Sequence, residues 1–436
     1  MKTMFLTSLV LLVGLYMHAK GEQFGLFTYE VVGNTVAITG YPRNATGPVE
    51  IPSEIDAKSV TVIGNDAFSY CRGLTSVTIP EGVTEIGEMA FGYCSRLTSV
   101  TIPESVTAIG KSGFIYCLGL TEVTIPDQVA SIGENAFRFC LKLTTLTIPA
   151  SAASIGDDAF GDCDRLEAIS VHADNPAYSD REGVLFNKDQ SILVLCPPKK
   201  SGSYSIPPGT THIGKKAFWQ CKRLTSVSIP DGVVDIGESA FEGCSELTEV
   251  HLPASVTEID ERAFWFCGKL ISVTIPAGVA VIRKDTFSFC SSLTSVTIPE
   301  GVTEIGERSF KYCKGLTSIT IPGSVATIGK SGFSLCNGLT EVTIPEGVAS
   351  LGEEAFRSCS KLALVTISAS VASIGDNAFR YCGKLTSATF TGNAPIVGES
   401  VFDDADPDFT IYYSSGASGF THPQWHGYPT SVIETE

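Results

Sequence analysis

The chain has 436 residues, 43% hydrophobic and 18% charged, with a formal charge of −17 and 42 Gly, 22 Pro and 14 Cys. So acidic a balance excludes a nucleic-acid binder, which needs a clustered basic surface to neutralise phosphates, and argues against a general affinity for anionic membranes. Fourteen Cys are too sparse for a small disulfide-stapled scaffold, and none sits in the close C-x-x-C spacing of zinc or redox sites.

In chain order, Lys2 precedes an apolar run from Met4 to Met17, and small residues follow at Ala19 and Gly21. This pattern predicts a signal peptide over 1–21 and a mature chain beginning at Glu22. No later apolar stretch approaches the roughly 18 residues of a membrane span. The closing Ser431–Glu436 carries neither a hydrophobic tail nor a sorting motif. The expected protein is therefore secreted or held at the cell surface, with no transmembrane segment after signal removal and no recognisable anchor.

Residues 22–59 read as an N-terminal cap, and beyond them the chain repeats. Phe recurs at 68, 91, 114, 137 and 160, then at 218, 241, 264, 287, 310, 333, 356, 379 and 402, each step being 23 residues except one of 58. Cys follows each Phe by three residues, at Cys71, Cys94, Cys117, Cys140, Cys163, Cys221, Cys244, Cys267, Cys290, Cys313, Cys336, Cys359 and Cys382, failing only at Ala405. Leu follows each of these Cys by three. One unit, Leu74 to Arg96, reads LTSVTIPEGVTEIGEMAFGYCSR.

Within it, Leu74, Val77 and Ile79 have the L-x-x-L-x-L spacing of a half-buried strand, and Pro80, lacking an N–H, ends the pairing. Val83 and Ile86 predict a second short inward-facing strand. Gly87 predicts a tight turn, and Ala90, Phe91 and Cys94 have the i, i+1, i+4 spacing of one helical turn plugging the core. A single coil cannot bury its own apolar face, so neighbours must stack. The expected fold is an α/β repeat solenoid with a parallel β-sheet on one face and short strands and helical turns on the other. At strand spacing, roughly fifteen coils give a sheet about 70 Å long over one continuous core.

The long step implies one repeat, within 166–210, carrying a 12-residue insertion between repeat blocks 60–165 and 211–390. Its runs Val184–Phe186 and Ile192–Leu195 flank Asn187–Gln190 and predict a β-hairpin. Leu74–Arg165 realigns with Leu293–Lys384 at an offset of 219, as expected of an array grown by duplication of four-coil blocks. Residues 391–436 hold the last coil and a C-terminal cap.

These repeats resemble the BspA-like leucine-rich repeat family, also called the Treponema-type class, over roughly 60–400. Phe27–Tyr29 through Val49–Pro52 is similar to that family's N-terminal cap, as are Asn175–Tyr178 and Gly183–Asn187 to its insertion. The closing Gly392–Pro395, Ile411–Tyr413 and Trp425–Tyr428 are similar to caps of such arrays in bacterial secreted proteins. The resemblance implies a curved solenoid and adhesion or partner binding at the cell surface. It implies no particular ligand and carries over no catalytic residue.

The Cys column admits two readings. Coils at strand spacing would allow disulfides between neighbours, but residues of one column point the same way, and thirteen cannot pair completely. A ladder of buried thiols is the expectation, with off-register Cys196 as the accessible exception. The outward strand positions form the candidate binding face: Ser76, Thr78, Thr101, Thr124, His251, Thr297 and Thr320. Sheet propensity alone would place Thr there, while a ranked hydroxyl array could also hold a repetitive polymer. Ice is a remoter fit, because ice needs a flat face.

The irregular coils are where specificity can reside. Asp260 and Arg283 replace the Gly four residues before Phe, and Trp219, Trp265 and Phe266 are candidate aromatic anchors. Tyr70, Tyr93, Tyr116, Phe139, Phe289 and Tyr312, each preceding a column Cys, either pack across coils or form a binding stripe.

No catalytic constellation, metal site or cofactor motif is complete. His422 and His426 straddle Pro423, and Asp404, Asp406 and Asp408 lack the Gly and Glu of a calcium loop. Asn44-Ala-Thr46 is a glycosylation sequon only in a eukaryotic host. The expected function is non-enzymatic binding of an extracellular protein by a monomer, with a glycan-binding or surface-array role as the alternative.

Overall fold

The computed structural model describes residues 21–434; the predicted signal peptide, apart from Gly21, lies outside the described residues. The repeating unit builds the molecule. In Leu74–Arg96 the side chains of Leu74, Val77, Ile79, Val83, Ile86, Phe91 and Cys94 are all buried, so one coil points its whole apolar set inward. Coil-to-coil pairing is parallel and in register, as in Ser76–Ser99, Val77–Val100 and Thr78–Thr101. The short strand repeats likewise, with Glu85–Ile86 pairing Ala108–Ile109 and that pairing Ser131–Ile132. Inside, the Phe column stacks at centroid separations from 4.7 to 5.8 Å, the two extremes being Phe218–Phe241 and Phe137–Phe160.

The expected helical turn is absent: no helix occurs among the described residues. The segment from Gly64 to Cys71 is instead a run of overlapping turns in which alternate N–H groups do different work. Ala67, Ser69 and Cys71 donate to carbonyls three residues back (Gly64, Asp66, Phe68), whereas Asp66, Phe68 and Tyr70 donate to Glu88, Ala90 and Gly92 of the next coil. Half the main-chain donors thus run along the solenoid axis, which an i→i−4 helix could not allow. Two residues per regular coil hold a left-handed conformation to achieve this, such as Met89 (φ 51°) and Tyr93 (φ 62°), and only at Gly243 is one of them a glycine.

Gly87 also has a different role from the one expected. Its φ is not among the positive values; a Cβ there would lie 2.6 Å from Asn65 Oδ1 and 2.9 Å from the Gly64 carbonyl carbon. The glycine column permits close approach between coils.

The long sheet is also interrupted. On the Ser/Thr side it divides into three strands (Thr46–Glu50 to Ser99–Thr101), two (Thr145–Ile148 and Ala168–Val171), five (Ser201–Ser205 to Ser295–Thr297) and a final set from Glu341–Ile344 onward. Residues 121–126 and 317–322 form no strand. The axial bonds Thr121 N–H to Thr98 O and Thr340 N–H to Thr317 O lengthen there to 3.3 and 3.4 Å, against 2.8 Å for Thr294 N–H to Ile271 O.

The insertion forms an antiparallel three-stranded meander, Tyr178–Arg181, Val184–Asn187 and Ile192–Leu195, whose last strand pairs in parallel with His212–Ile213. The expected hairpin is its second half. It also divides the buried residues into two clusters rather than one continuous core: Leu185 packs with the cluster that begins at Tyr29, while Val184, Phe186 and Leu193 join the one that runs to Trp425. Alternation along one strand sends successive side chains to opposite cores.

Both ends are covered. Glu22–Phe24, Phe27–Val32 and Thr35–Gly40 form an antiparallel cap that joins the array through parallel pairing of Thr35–Gly40 with Lys58–Ile63. At the far end the Tyr428 hydroxyl accepts the Phe402 N–H at 3.2 Å and donates to Asp403 at 2.8 Å, satisfying a donor that has no further coil to meet.

Candidate functional site

The thirteen column cysteines, Cys71 to Cys382, are all buried and unpaired. From Cys94 on, wherever the preceding coil is complete, each S–H donates to the carbonyl of the Phe 26 residues earlier, as in Cys94 to Phe68 at 3.2 Å and Cys336 to Phe310 at 3.1 Å. Burial pushes Cys71 up to about 11 and Cys117, Cys163, Cys290 and Cys336 up to about 12. Such thiols stay neutral and are poor nucleophiles. Cys196 departs from expectation: it is fully buried, because its N–H bonds the Ala217 carbonyl at 2.7 Å and so occupies the ladder position that Phe holds in a regular coil.

The Ser/Thr positions are on the surface. Thr78, Thr101, Thr124, His251, Thr297 and Thr320 are exposed and Ser76 is half-buried. Two neighbouring columns spend their hydroxyls on backbone, Thr98 to Thr75 O at 2.9 Å and Thr107 to Thr84 O at 3.1 Å. The hydroxyls of Thr78, Thr101, Thr124, Thr297 and Thr320 are engaged by no side-chain hydrogen bond among the described residues, leaving them to solvent or a ligand. Thr124 and Thr320 fall at the two sheet interruptions, so the face is a set of patches.

The residues before the column Cys form a second linear feature. Tyr70, Tyr93, Tyr116 and Phe139 stack successively at 4.5, 4.7 and 4.3 Å. The column is interrupted at Asp162, Gln220 and Gly243, then resumes with Phe266 on Phe289 at 4.4 Å and Phe289 on Tyr312 at 4.9 Å. These rings pack across coils and still show an edge to solvent, most of all Phe266, which is 43% exposed. Half-buried Trp265 stands edge-on to Phe266 at 4.5 Å, with the Arg262 guanidinium 5.5 Å from its ring centre. Gln220, Lys222, Glu242 and Gly243 complete a shallow notch against these two rings. Trp219 is not part of this shelf; it is half-buried at the insertion junction.

Sequence reasoning missed two things here. One is the charge cluster beside the irregular coils: Asp260 meets Arg283 at 3.2 Å, and nearby Asp285, almost fully buried, receives both Nε and Nη2 of Arg308 at 2.9 and 2.8 Å. The other is a cleft at the junction where the coil between Phe160 and Phe218 has no Phe in the column register; the 58-residue step was the available signal.

Stacked 23-residue coils, paired in parallel over buried columns of Leu, Phe and Cys, define a leucine-rich repeat solenoid. The chain belongs to the family described as the BspA type leucine rich repeat region, whose model matches residues 53–177, 211–339 and 281–407. It is similar in fold to a leucine-rich repeat protein from Eubacterium ventriosum, at 25% identity over 76% of this chain and 92% of that one, with a TM-score of 0.61. A leucine-rich repeat protein from Bacteroides ovatus is likewise similar, at 25% identity over 90% and 99% of the two chains, with a TM-score of 0.54. No curated protein matches the chain. No helix among the described residues is long and apolar enough to cross a membrane.

Proposed function

We propose that this is an exported, non-enzymatic protein that binds another extracellular protein, as in adhesion to a host, a matrix or a neighbouring cell. The observation that carries the reading is the shelf of Trp265, Phe266, Phe289 and Tyr312, stacked rigidly yet open to solvent beside a notch. Tryptophan and tyrosine held in a fixed geometry are preferred interface anchors, since little side-chain entropy is lost on contact. The family supports protein–protein interaction in general, and the apolar run Met4–Met17 supports export. The test is a screen of mature monomer (22–436) against extracellular-matrix proteins and a glycan array. A protein partner should bind, and Trp265→Ala should weaken it at least tenfold. Unchanged affinity would remove the shelf from the interface.

Glycan binding is the second reading, favoured by the unengaged hydroxyls of Thr78, Thr101 and Thr297. Signal confined to the glycan array would replace the first reading with this one.

A further inference from the structure

The axial hydrogen-bond ladder has one gap. In the coil before it, Asn135, Phe137 and Phe139 donate their N–H groups to Asp157, Ala159 and Gly161 at 2.9, 2.7 and 3.0 Å. In the coil after it, Lys216, Phe218 and Gln220 donate to Glu238, Ala240 and Glu242 at 2.9, 2.7 and 2.8 Å. The corresponding N–H groups of Asp158, Phe160 and Asp162 have no acceptor among the described residues. The turn carrying them is unchanged, with Asp158 and Asp162 at φ 54° and 57°, like their counterparts, so the three donors still point along the axis.

The cause lies in the next coil, which runs Leu195-Cys-Pro-Pro-Lys199 and omits the Ala-Phe turn. Phe160 accordingly has a stacking partner behind it, Phe137, and no ring ahead. Phe218, which opens the next regular coil, has tilted Tyr204 at 6.0 Å in place of a Phe. What remains is a cleft of about 120 Å³ whose walls include Ile155, Phe160, Leu185, Leu195 and Trp219. Ile155 is half-buried where Ile132 and Ile213 of its column are fully covered. An apolar cavity of about 150 Å³ accepts benzene, so the cleft is on the scale of one aromatic side chain.

In every regular coil three such donors on alternate residues meet main-chain carbonyls of the next coil's turn, so the fitting acceptors here are the carbonyls of a polypeptide that takes up a similar turn. An anion would suit the three donors less, because Asp157, Asp158 and Asp162 line the same cleft and the cations around them are already paired: Lys216 with Asp158, Arg138 with Asp162 at 2.8 Å, and Lys215 with Glu238 at 2.7 Å. We propose that this cleft binds a segment of a partner polypeptide, whose carbonyls accept from Asp158, Phe160 and Asp162 and whose aromatic side chain stacks on Phe160. The segment takes the place of the turn that the coil lacks. This adds a second protein-binding site, separate from the aromatic shelf.

The probe is a blocked peptide, Gly-Lys-Lys-Ala-Phe-Ser-Gln, patterned on the array's own turn with basic residues to meet the acidic wall, beside the same peptide with Ala for Phe. Calorimetry with the mature chain should show the Phe peptide binding at least tenfold more tightly. Hydrogen exchange should slow in residues 156–163. Leu195→Trp, which fills the cleft, should weaken binding at least tenfold, and Trp265→Ala should leave it unchanged, so this site and the shelf stand or fall separately. Equal affinity of the two peptides, no binding, or protection elsewhere would overturn the proposal even if Leu195→Trp failed to fold.

Discussion

Phe264 and Phe266 are two residues apart and give the packing argument its sharpest test. Phe264 is fully buried, stacked between Phe241 at 5.0 Å and Phe287 at 5.4 Å. Phe266 is 43% exposed and stacks on Phe289. Truncating a buried Phe to Ala costs about 3–5 kcal/mol because the cavity cannot fully collapse, and here the loss weakens contacts with both neighbouring coils. Phe264→Ala should therefore cost about 4 kcal/mol. Phe266→Ala forfeits mainly a ring contact, worth about 1 kcal/mol. Trp219, Trp265 and Trp425 are the chain's three tryptophans, and all lie beyond the meander's central strand, so urea unfolding followed by Trp fluorescence reports the second core. Equal losses for the two variants would refute the view that the inner Phe column, and not the outer one, supports the array.

Twelve column thiols have proton affinities raised by burial, above an ordinary value of 9.0. The native state keeps their protons where the unfolded chain releases them, so stability is full below pH 9 and falls as pH rises through the folded values, by about 1.4 kcal/mol per thiol per pH unit. Urea midpoints at pH 8 and pH 10 should differ strongly, and a thiol reagent should titrate all fourteen cysteines only after denaturation without reductant. Arg308→Ala leaves the buried Asp285 carboxylate with only the distant Arg262 guanidinium, 3.9 Å away, and should cost about 2 kcal/mol by the same urea assay, whereas Lys330→Ala, which breaks an exposed pair with Glu353, should cost less than about 1 kcal/mol. Gly133→Ala places a Cβ 2.5 Å from Lys111 N and 2.6 Å from the Gly110 carbonyl carbon; a loss of about 2 kcal/mol is expected, and a neutral result would show that the coils can separate.

The inward columns were legible because burial imposes a strict residue type at a strict interval: Phe, Cys and Leu at every twenty-third position can only be stacked. The turn was not. Ala90, Phe91 and Cys94 fit one helical turn and a run of overlapping turns equally well, and only the direction of the N–H groups separates them. Side-chain pattern carries no record of that direction. Cys196 misled for a related reason: its sequence register is wrong for the column, but shortening the turn brings its backbone into the place Phe occupies elsewhere. The sheet interruptions at 121–126 and 317–322 left no mark at all, since Val123 and Ile319 keep the column's residue type and stay buried. The site was legible as columns and not as patches.

The constant interval of the axial bonds governs how the chain acquires its shape. Nearly every bond between coils joins residues 22 to 24 apart, so the mean loop to be closed stays short however many coils are added, and low contact order favours rapid folding. A growing chain could complete each coil as soon as the following one was made, without waiting for its distant end. The same economy carries a hazard. LTSVTIPEGVTEIGE occurs at 74 and again at 293, so during refolding at high concentration one molecule's coil is an acceptable neighbour for another's, and exchanged dimers are the form in which misfolding should be found.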